Sequence, residues 1–344
     1  MTQCYTNRFF QLQKGIKVKK GLLLIVCLMT ALLIDAKTIF VKAGSNGNGT
    51  AWNNAFGNPQ QALKVAANGD QIWVAKGTYA PTTSNNRNLS FQLIEGVALY
   101  GGFAGNETQL TQRNTNQNQT ILTGEIGTPS LDDNSFTIVY AENVTQKTIV
   151  DGFILTRGAA NGFGASGDLS FSGAAMFNKE ASPTIKNCTF KNNYAREGAA
   201  IYNYASNGGT YNPTIANCNF IANKADFDGG AIFNMALNGQ SSPNIRNCNF
   251  EKNQSTYGAA ILNKGVNGKV KAAITNCVFS ANASILSGAI VYNLREGRGE
   301  SNSIMTGCKF IENEAVNGDS FGASTVTASS SNAQNRGGAV LRSY

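Results

Sequence analysis

Histidine is absent from this 344-residue chain. Its absence removes catalytic triads built on imidazole and metal sites with imidazole ligands. Charge is scarce as well: Asp, Glu, Lys and Arg make up 14% of the residues. Helices of soluble proteins carry polar, charged outer faces, so a mainly helical fold is disfavoured. There is no dense Lys/Arg cluster interleaved with aromatics, and nucleic acid is not an expected partner. Disorder is excluded from the other side, because 42% of the residues are apolar and recur in patterned runs.

The N-terminus reads as an export signal, residues 1–36. Arg8, Lys14, Lys17, Lys19 and Lys20 precede 14 apolar residues from Gly21 to Ile34, and Leu33-Ile34-Asp35-Ala36 offers a small-residue cleavage site. The run falls short of the roughly 20 residues that span a bilayer as a helix, so cleavage is expected and the mature chain carries no transmembrane helix. Val26 before Cys27 argues against a lipoprotein site. The full chain has a net charge of +8; five basic residues and Asp35 leave with the signal, so the mature chain carries about +4.

What is present in abundance is repetition. Pro183-Thr-Ile-Lys-Asn-Cys-Thr-Phe190 returns as Asn212-Pro-Thr-Ile-Ala-Asn-Cys-Asn-Phe220, Pro243-Asn-Ile-Arg-Asn-Cys-Asn-Phe250, Ala273-Ile-Thr-Asn-Cys-Val-Phe279 and Ile304-Met-Thr-Gly-Cys-Lys-Phe310. Cys188, Cys218, Cys248, Cys277 and Cys308 are therefore spaced by 30, 30, 29 and 31 residues. Each Phe is followed three positions on by Asn193, Asn223, Asn253, Asn282 or Asn313. Then comes a small-residue strand: Gly198-Ala-Ala-Ile-Tyr-Asn203, Gly229-Gly-Ala-Ile-Phe-Asn234, Gly258-Ala-Ala-Ile-Leu-Asn263 and Gly288-Ala-Ile-Val-Tyr-Asn293.

Short alternating strands of this kind cannot bury their inner faces alone. Stacked coil upon coil about 4.8 Å apart, each residue lies over its counterpart. The expected architecture is all-β, a right-handed single-stranded parallel β-helix with a short N-terminal capping helix at Pro59–Ala67, started by Asn58 and stopped by Asn68-Gly69. A helical solenoid is disfavoured, since Asn and Gly sit mid-unit. Residues 37–136 are expected to form the cap and first irregular coils, with 104–136 largely loop, and 137–344 the repeat coils. Residues 314–336 read as one long Ala/Ser/Asn/Gly-rich loop, and the absence of a capping signature before Tyr344 raises the expectation of a truncated chain.

These motifs resemble those of the polymorphic outer membrane proteins, within the pectin-lyase-like β-helix superfamily. The N-terminal segments Gly69-Asp-Gln-Ile-Trp-Val-Ala-Lys-Gly-Thr-Tyr79 and Leu99-Tyr-Gly-Gly-Phe-Ala-Gly105 are similar to the opening of secreted bacterial proteins of that kind. The resemblance spans roughly residues 37–344. It implies surface display, adhesion or a passenger role, with a carbohydrate or a host or neighbouring cell surface as partner. The same superfamily contains polysaccharide lyases and glycosidases, so a carbohydrate-active enzyme is the alternative. A truncated remnant of a longer surface protein is the third.

Candidate chemistry is thin. Asp226 and Asp228 flank one bend, and Glu197 occupies the equivalent bend one coil earlier, with Arg196 and Lys224 nearby. The next coils offer Tyr257 and Ser287, so the acidic patch covers two coils; the bland alternative is a solvated turn. Asp132 and Asp133 read as an ordinary polar loop. Tyr204 and Tyr211, in the segment closing one coil, and the exterior positions Tyr202, Phe233 and Tyr292 are candidates for stacking on sugar rings. The five cysteines cannot all pair, and a line of parallel side chains suits neither disulfides nor tetrahedral zinc. They are expected as buried free thiols and, with the Asn rows, as structural ladders; no cofactor is implied. N-terminal sequencing of the exported protein is expected to begin at Lys37, and recovery of an intact residue 1–36 segment would refute cleavage.

Overall fold

The computed structural model describes residues 36–316 apart from Ala289, and beyond them the strands Val326–Ser329, Ala333–Gln334 and Leu341–Ser343. The export signal read from the sequence lies outside the described residues. Among them, no helix is long and apolar enough to cross a membrane.

The chain is a parallel β-helix whose coils contribute strands to four sheets. In one coil these are Thr184–Lys186 on the first face, Thr189–Lys191 on the second, Tyr194–Glu197 on the third and Ile201–Ala205 on the fourth. The next coil repeats them as Thr214–Ala216, Asn219–Ile221, Lys224–Asp228 and Ile232–Leu237. The stack begins at Thr38–Val41, whose partner in the first sheet is Gln71–Ala75.

Apolar columns hold the coils together. Ile39, Ile72, Leu99, Val150, Ile185, Ile215, Ile245, Ile274 and Met305 follow one another in register, all buried. On the second face Phe190, Phe220, Phe250 and Phe279 stack with ring centroids 5.0, 4.7 and 4.7 Å apart and planes within 7° of parallel. That spacing is set by the backbone ladder rather than by the rings. All five repeat cysteines are free and buried. Each of the last four lies against the Ile carbonyl of the preceding coil, as Cys248 Sγ does against Ile215 O at 3.7 Å.

Where the backbone leaves one sheet for the next, its amides lose their ladder partners and need others. The buried Asn rows supply them. Asn223 Nδ2 donates to Asn253 Oδ1 at 3.0 Å and to Phe190 O at 3.0 Å, while Asn223 Oδ1 accepts from the Asn193 Nδ2 and backbone N–H. The same bonds join Asn253 to Asn282 and Asn282 to Asn313. A second buried row runs Asn178, Asn203, Asn234, Asn263, Asn293 on the fourth face with 2.7–2.8 Å links. An outer row turns the first corner at Asn187, Asn217, Asn247 and Asn276, each with φ near +53°; Asn tolerates this left-handed conformation better than other non-glycine residues.

The capping helix is Pro59–Val65, two residues shorter than the sequence reading because Ala66 is already extended. Asn58 and Gln61 close a capping box, and Ala62 and Leu63 are buried in the main core. One expectation is corrected. Residues 314–336 are not a single loop: Val326–Ser329 pairs in register with Ser303–Thr306, and Ala333–Gln334 pairs with Phe310–Ile311. That coil has shed the Cys and Phe signature, yet its short Ala, Ser and Thr residues still pair through the backbone.

Two neighbouring substitutions are expected to act in opposite directions. Ala222 has φ +51°, so Ala222→Gly relieves roughly 1 kcal/mol of left-handed strain. Asn223→Ala orphans buried backbone groups and costs about 2–4 kcal/mol. Urea unfolding midpoints that move the same way for both would refute this account of the corner.

Candidate functional site

Four successive strands of the third sheet end at a corner where the next residue is glycine: Gly198, Gly229, Gly258 and Gly288, with φ between +57° and +69°. A Cβ on Gly229 would lie 2.6 Å from Ile232 O, so the corner admits no side chain. This fixes what precedes it. Glu197 lies in register with Asp228, Asp228 with Tyr257, and Tyr257 with Ser287.

Glu197 is 8% exposed. Its Oε2 accepts from Ser166 Oγ at 2.6 Å and from Ser172 Oγ at 3.4 Å. Ser166 Oγ is also 2.9 Å from the Tyr202 hydroxyl. Both serines belong to residues 161–172, a strap laid across this flank; Gly167 rests on the Tyr204 ring, so that a Cβ there would be 3.6 Å from it. Burial raises the Glu197 carboxyl above its ordinary value, against the opposing influence of Ser166, Lys264 and Ser172. Burial also raises Asp228, to about 7, with the neighbouring Glu197 charge adding to it and Lys264 opposing. Lys264 is itself paired with Glu296 at 2.7 Å.

The pairing is exceptional in sign. Elsewhere among the described residues, charged side chains that meet in register are opposite: Lys179 with Glu142, Lys186 with Asp151, Lys269 with Glu300. Glu197 and Asp228 alone stack like on like. Two carboxylates so placed cannot both ionise cheaply, and a proton held by the pair is the economical state.

Asp226 is not part of this pair. A register shift between Ala195 and Glu197 leaves it on the outer surface, where it forms an ion pair with Arg196 and accepts from the Tyr194 hydroxyl at 2.7 Å. Tyr202 and Phe233, read from sequence as exterior aromatics, are both fully buried. With Phe177, Leu262 and Tyr292 they form an apolar cluster outside the central core, against which Leu169 of the strap packs. Tyr204 lies within the strand Ile201–Ala205 rather than in a closing loop, its ring 6.1 Å from that of Tyr202.

Tyr211, on the short strand Thr210–Tyr211, lines a separate cleft of about 680 Å³. Around it are Asn143, Thr145, Gln146, Lys147, Glu180 and Ser182. Gly209 leaves room for the ring; a Cβ there would stand 2.3 Å from the Tyr211 hydroxyl. Sequence reasoning missed Ser166, Ser172, Lys264 and Glu296. The serines lie in a non-repeating strap and carry no signal, whereas Lys264 shares a register column with Tyr204 and Met235 and was accessible by alignment of the coils. Among the described residues, no group of three or more acidic or Cys side chains is arranged to hold a metal ion.

Four parallel sheets wound into one stack, with polar sites on the flanks, define a parallel β-helix protein. The chain belongs to the family described as "Protein of unknown function (DUF1565)", whose profile matches residues 43–285. No curated protein matches it. Two solved structures are similar in shape: one titled "Rhamnogalacturonan lyase" (TM-score 0.40, 12% identity, covering 83% of this chain and 75% of that one), and one of pectate lyase Pel9A (TM-score 0.40, 12% identity, covering 87% and 79%).

The raised carboxyl of Asp228 makes a stability prediction. The folded state holds a proton that the unfolded chain, with an ordinary Asp near 3.9, releases. Between about pH 4 and pH 7 the folded state therefore binds more protons, and this residue's contribution falls as pH rises, then levels off. Asp228→Asn is expected to gain on the order of 2 kcal/mol over the parent from about pH 4.5 to pH 8, after allowance for partial solvent screening. A pH-independent difference in urea-derived stability would overturn the assignment.

Proposed function

We propose that this chain is an exported, cell-surface or extracellular β-helix that binds glycan, with the saccharide seated in the Tyr211 cleft. The observation that carries the reading is the lining of that cleft. One aromatic ring is surrounded by amide and hydroxyl side chains, with Lys147 and Glu180 at hand. An aromatic face covers the C–H side of a sugar ring, and planar amides and hydroxyls satisfy its O–H groups. The cleft lies within the 300–1,000 Å³ or so typical of small-ligand sites. Export and surface display rest on the N-terminal segment and on the repeat motifs.

A second reading has one observation in its favour. The Glu197–Asp228 pair offers a protonated carboxyl beside a carboxylate, the components of general acid–base glycoside cleavage. Against it stands the burial of Glu197 beneath the strap.

The binding reading is tested with a panel of neutral and acidic polysaccharides and calorimetry on any hit. Tyr211→Ala is expected to weaken binding at least about tenfold, roughly the worth of one aromatic contact. Gly209→Ala is expected to weaken it by displacing the ring. Binding unchanged in both variants, or no binding to any glycan, would sink the proposal. Product release from the same panel that is lost in Glu197→Gln would favour the enzyme instead.

A further inference from the structure

Residues 161–172 are anchored at both ends, Asn161 by Arg87 and Asp132 and Phe171–Ser172 by main-chain bonding to the third sheet, while Ser166 at the middle is held by the Glu197 carboxylate. Ser166 and Ser172 both reach Glu197, Ser166 also meets Tyr202, and the Phe171 carbonyl accepts from the Arg196 and Glu197 amides at 3.1 and 3.2 Å. Beneath the strap lie the edges of an aromatic column, Phe177, Tyr202 and Phe233, in edge-to-face contact at 5.0 and 5.1 Å. We propose that the strap is a proton-controlled latch: while Glu197 and Asp228 share a proton it stays shut over Tyr202 and Tyr204, and when both ionise it is released and the aromatic ledge is uncovered. The inference goes beyond glycan binding at Tyr211 and does not depend on it.

The charged groups around the pair leave it without a dedicated counter-ion. From the strap the one charged side chain is Asp168, which turns back to accept from Ala165 N at 2.8 Å. On the third face Arg196 is committed to Asp226. On the fourth face Lys264 is shared with Glu296, and Tyr202 is held in its neutral form by burial and by the Glu197 charge. To Glu197 itself the strap's side chains bring only the Ser166 and Ser172 hydroxyls, which can orient a carboxylate but cannot cancel its charge. With both acids ionised, the repulsion is relieved by letting water reach Glu197, and lifting the strap does that.

The expected size follows from the proton count. If opening returns Asp228 from about 7 to an ordinary carboxyl near 3.9, the opening equilibrium rises about tenfold between about pH 6 and about pH 8.5. Hydrogen–deuterium exchange of the full chain, corrected for intrinsic rates, reads this directly. Protection in residues 161–172 is expected to fall about tenfold from the lower to the higher pH, while Ile232–Leu237 in the core keeps its protection. Asp228→Asn is expected to keep the strap protected at both values, and Ser166→Ala to loosen it at both. Equal corrected protection of the parent strap at the two pH values would overturn the latch. So would the parent's pH response persisting in Asp228→Asn, a loss spread over the core strands, or full strap protection in Ser166→Ala.

Discussion

Every feature of this molecule depends on one constraint: each coil is hydrogen-bonded in register to the one before, so a residue sits about 4.8 Å above its counterpart. Anything placed on a coil is thereby placed against a copy of itself. For Ile and Phe this is favourable, and the columns from Ile39 to Met305 and from Phe190 to Phe279 form the core. For Asn it is favourable in a different way, because an amide presents a donor on one side and an acceptor on the other. Asn193, Asn223 and Asn253 thus form an unbroken row inside a core that would otherwise reject them. For Cys the same stacking leaves all five thiols free and buried, as small apolar residues.

The constraint also explains what could be read without coordinates. A repeated coil shows in the sequence where a corner takes the same residue each time, as two of the corners do, whereas the left-handed corner at Asn192, Ala222, Lys252, Ala281 and Glu312 varies from coil to coil. The glycines at 198, 229, 258 and 288 and the asparagines at 187, 217, 247 and 276 are all left-handed, and they mark the period without any knowledge of the fold. Glu197 and Asp228 were aligned by that period, and they do meet. The strap was not legible, since residues 161–172 occur once and have nothing to align with. Its contents decide the character of the flank: Leu169 and Gly167 bury what alternation alone places outside, and so Tyr202 is interior although its backbone direction is outward. Asp226 failed for a narrower reason. Period-two alternation assigns it a face only if the strand is regular, and the register shift before Asp228 breaks that count.

The stack is least forgiving of charge. Two like charges at the coil spacing repel by roughly 3 kcal/mol at an effective dielectric of 20, and by more when buried. The chain meets this by alternating sign wherever ions stack, as in Lys179 over Glu142 and Lys269 beside Glu300. At Glu197 and Asp228 it does not. A repulsion of that size is two to three pKa units' worth, comparable with the rise of Asp228 to about 7, although burial is the larger cause of that rise. The carboxylates therefore have a choice that no other stacked pair in the described coils has: hold a proton, or part. Parting along the stack is forbidden, because the backbone ladder fixes Glu197 and Asp228 to adjacent coils. The freedom left lies sideways, toward solvent, where the strap alone stands in the way and is itself tied to Glu197. A like-charged pair inside a rigid ladder, covered by a segment that joins that ladder only at its Phe171–Ser172 end, directs its strain into the part of the covering segment that stands free of the ladder, around Ser166.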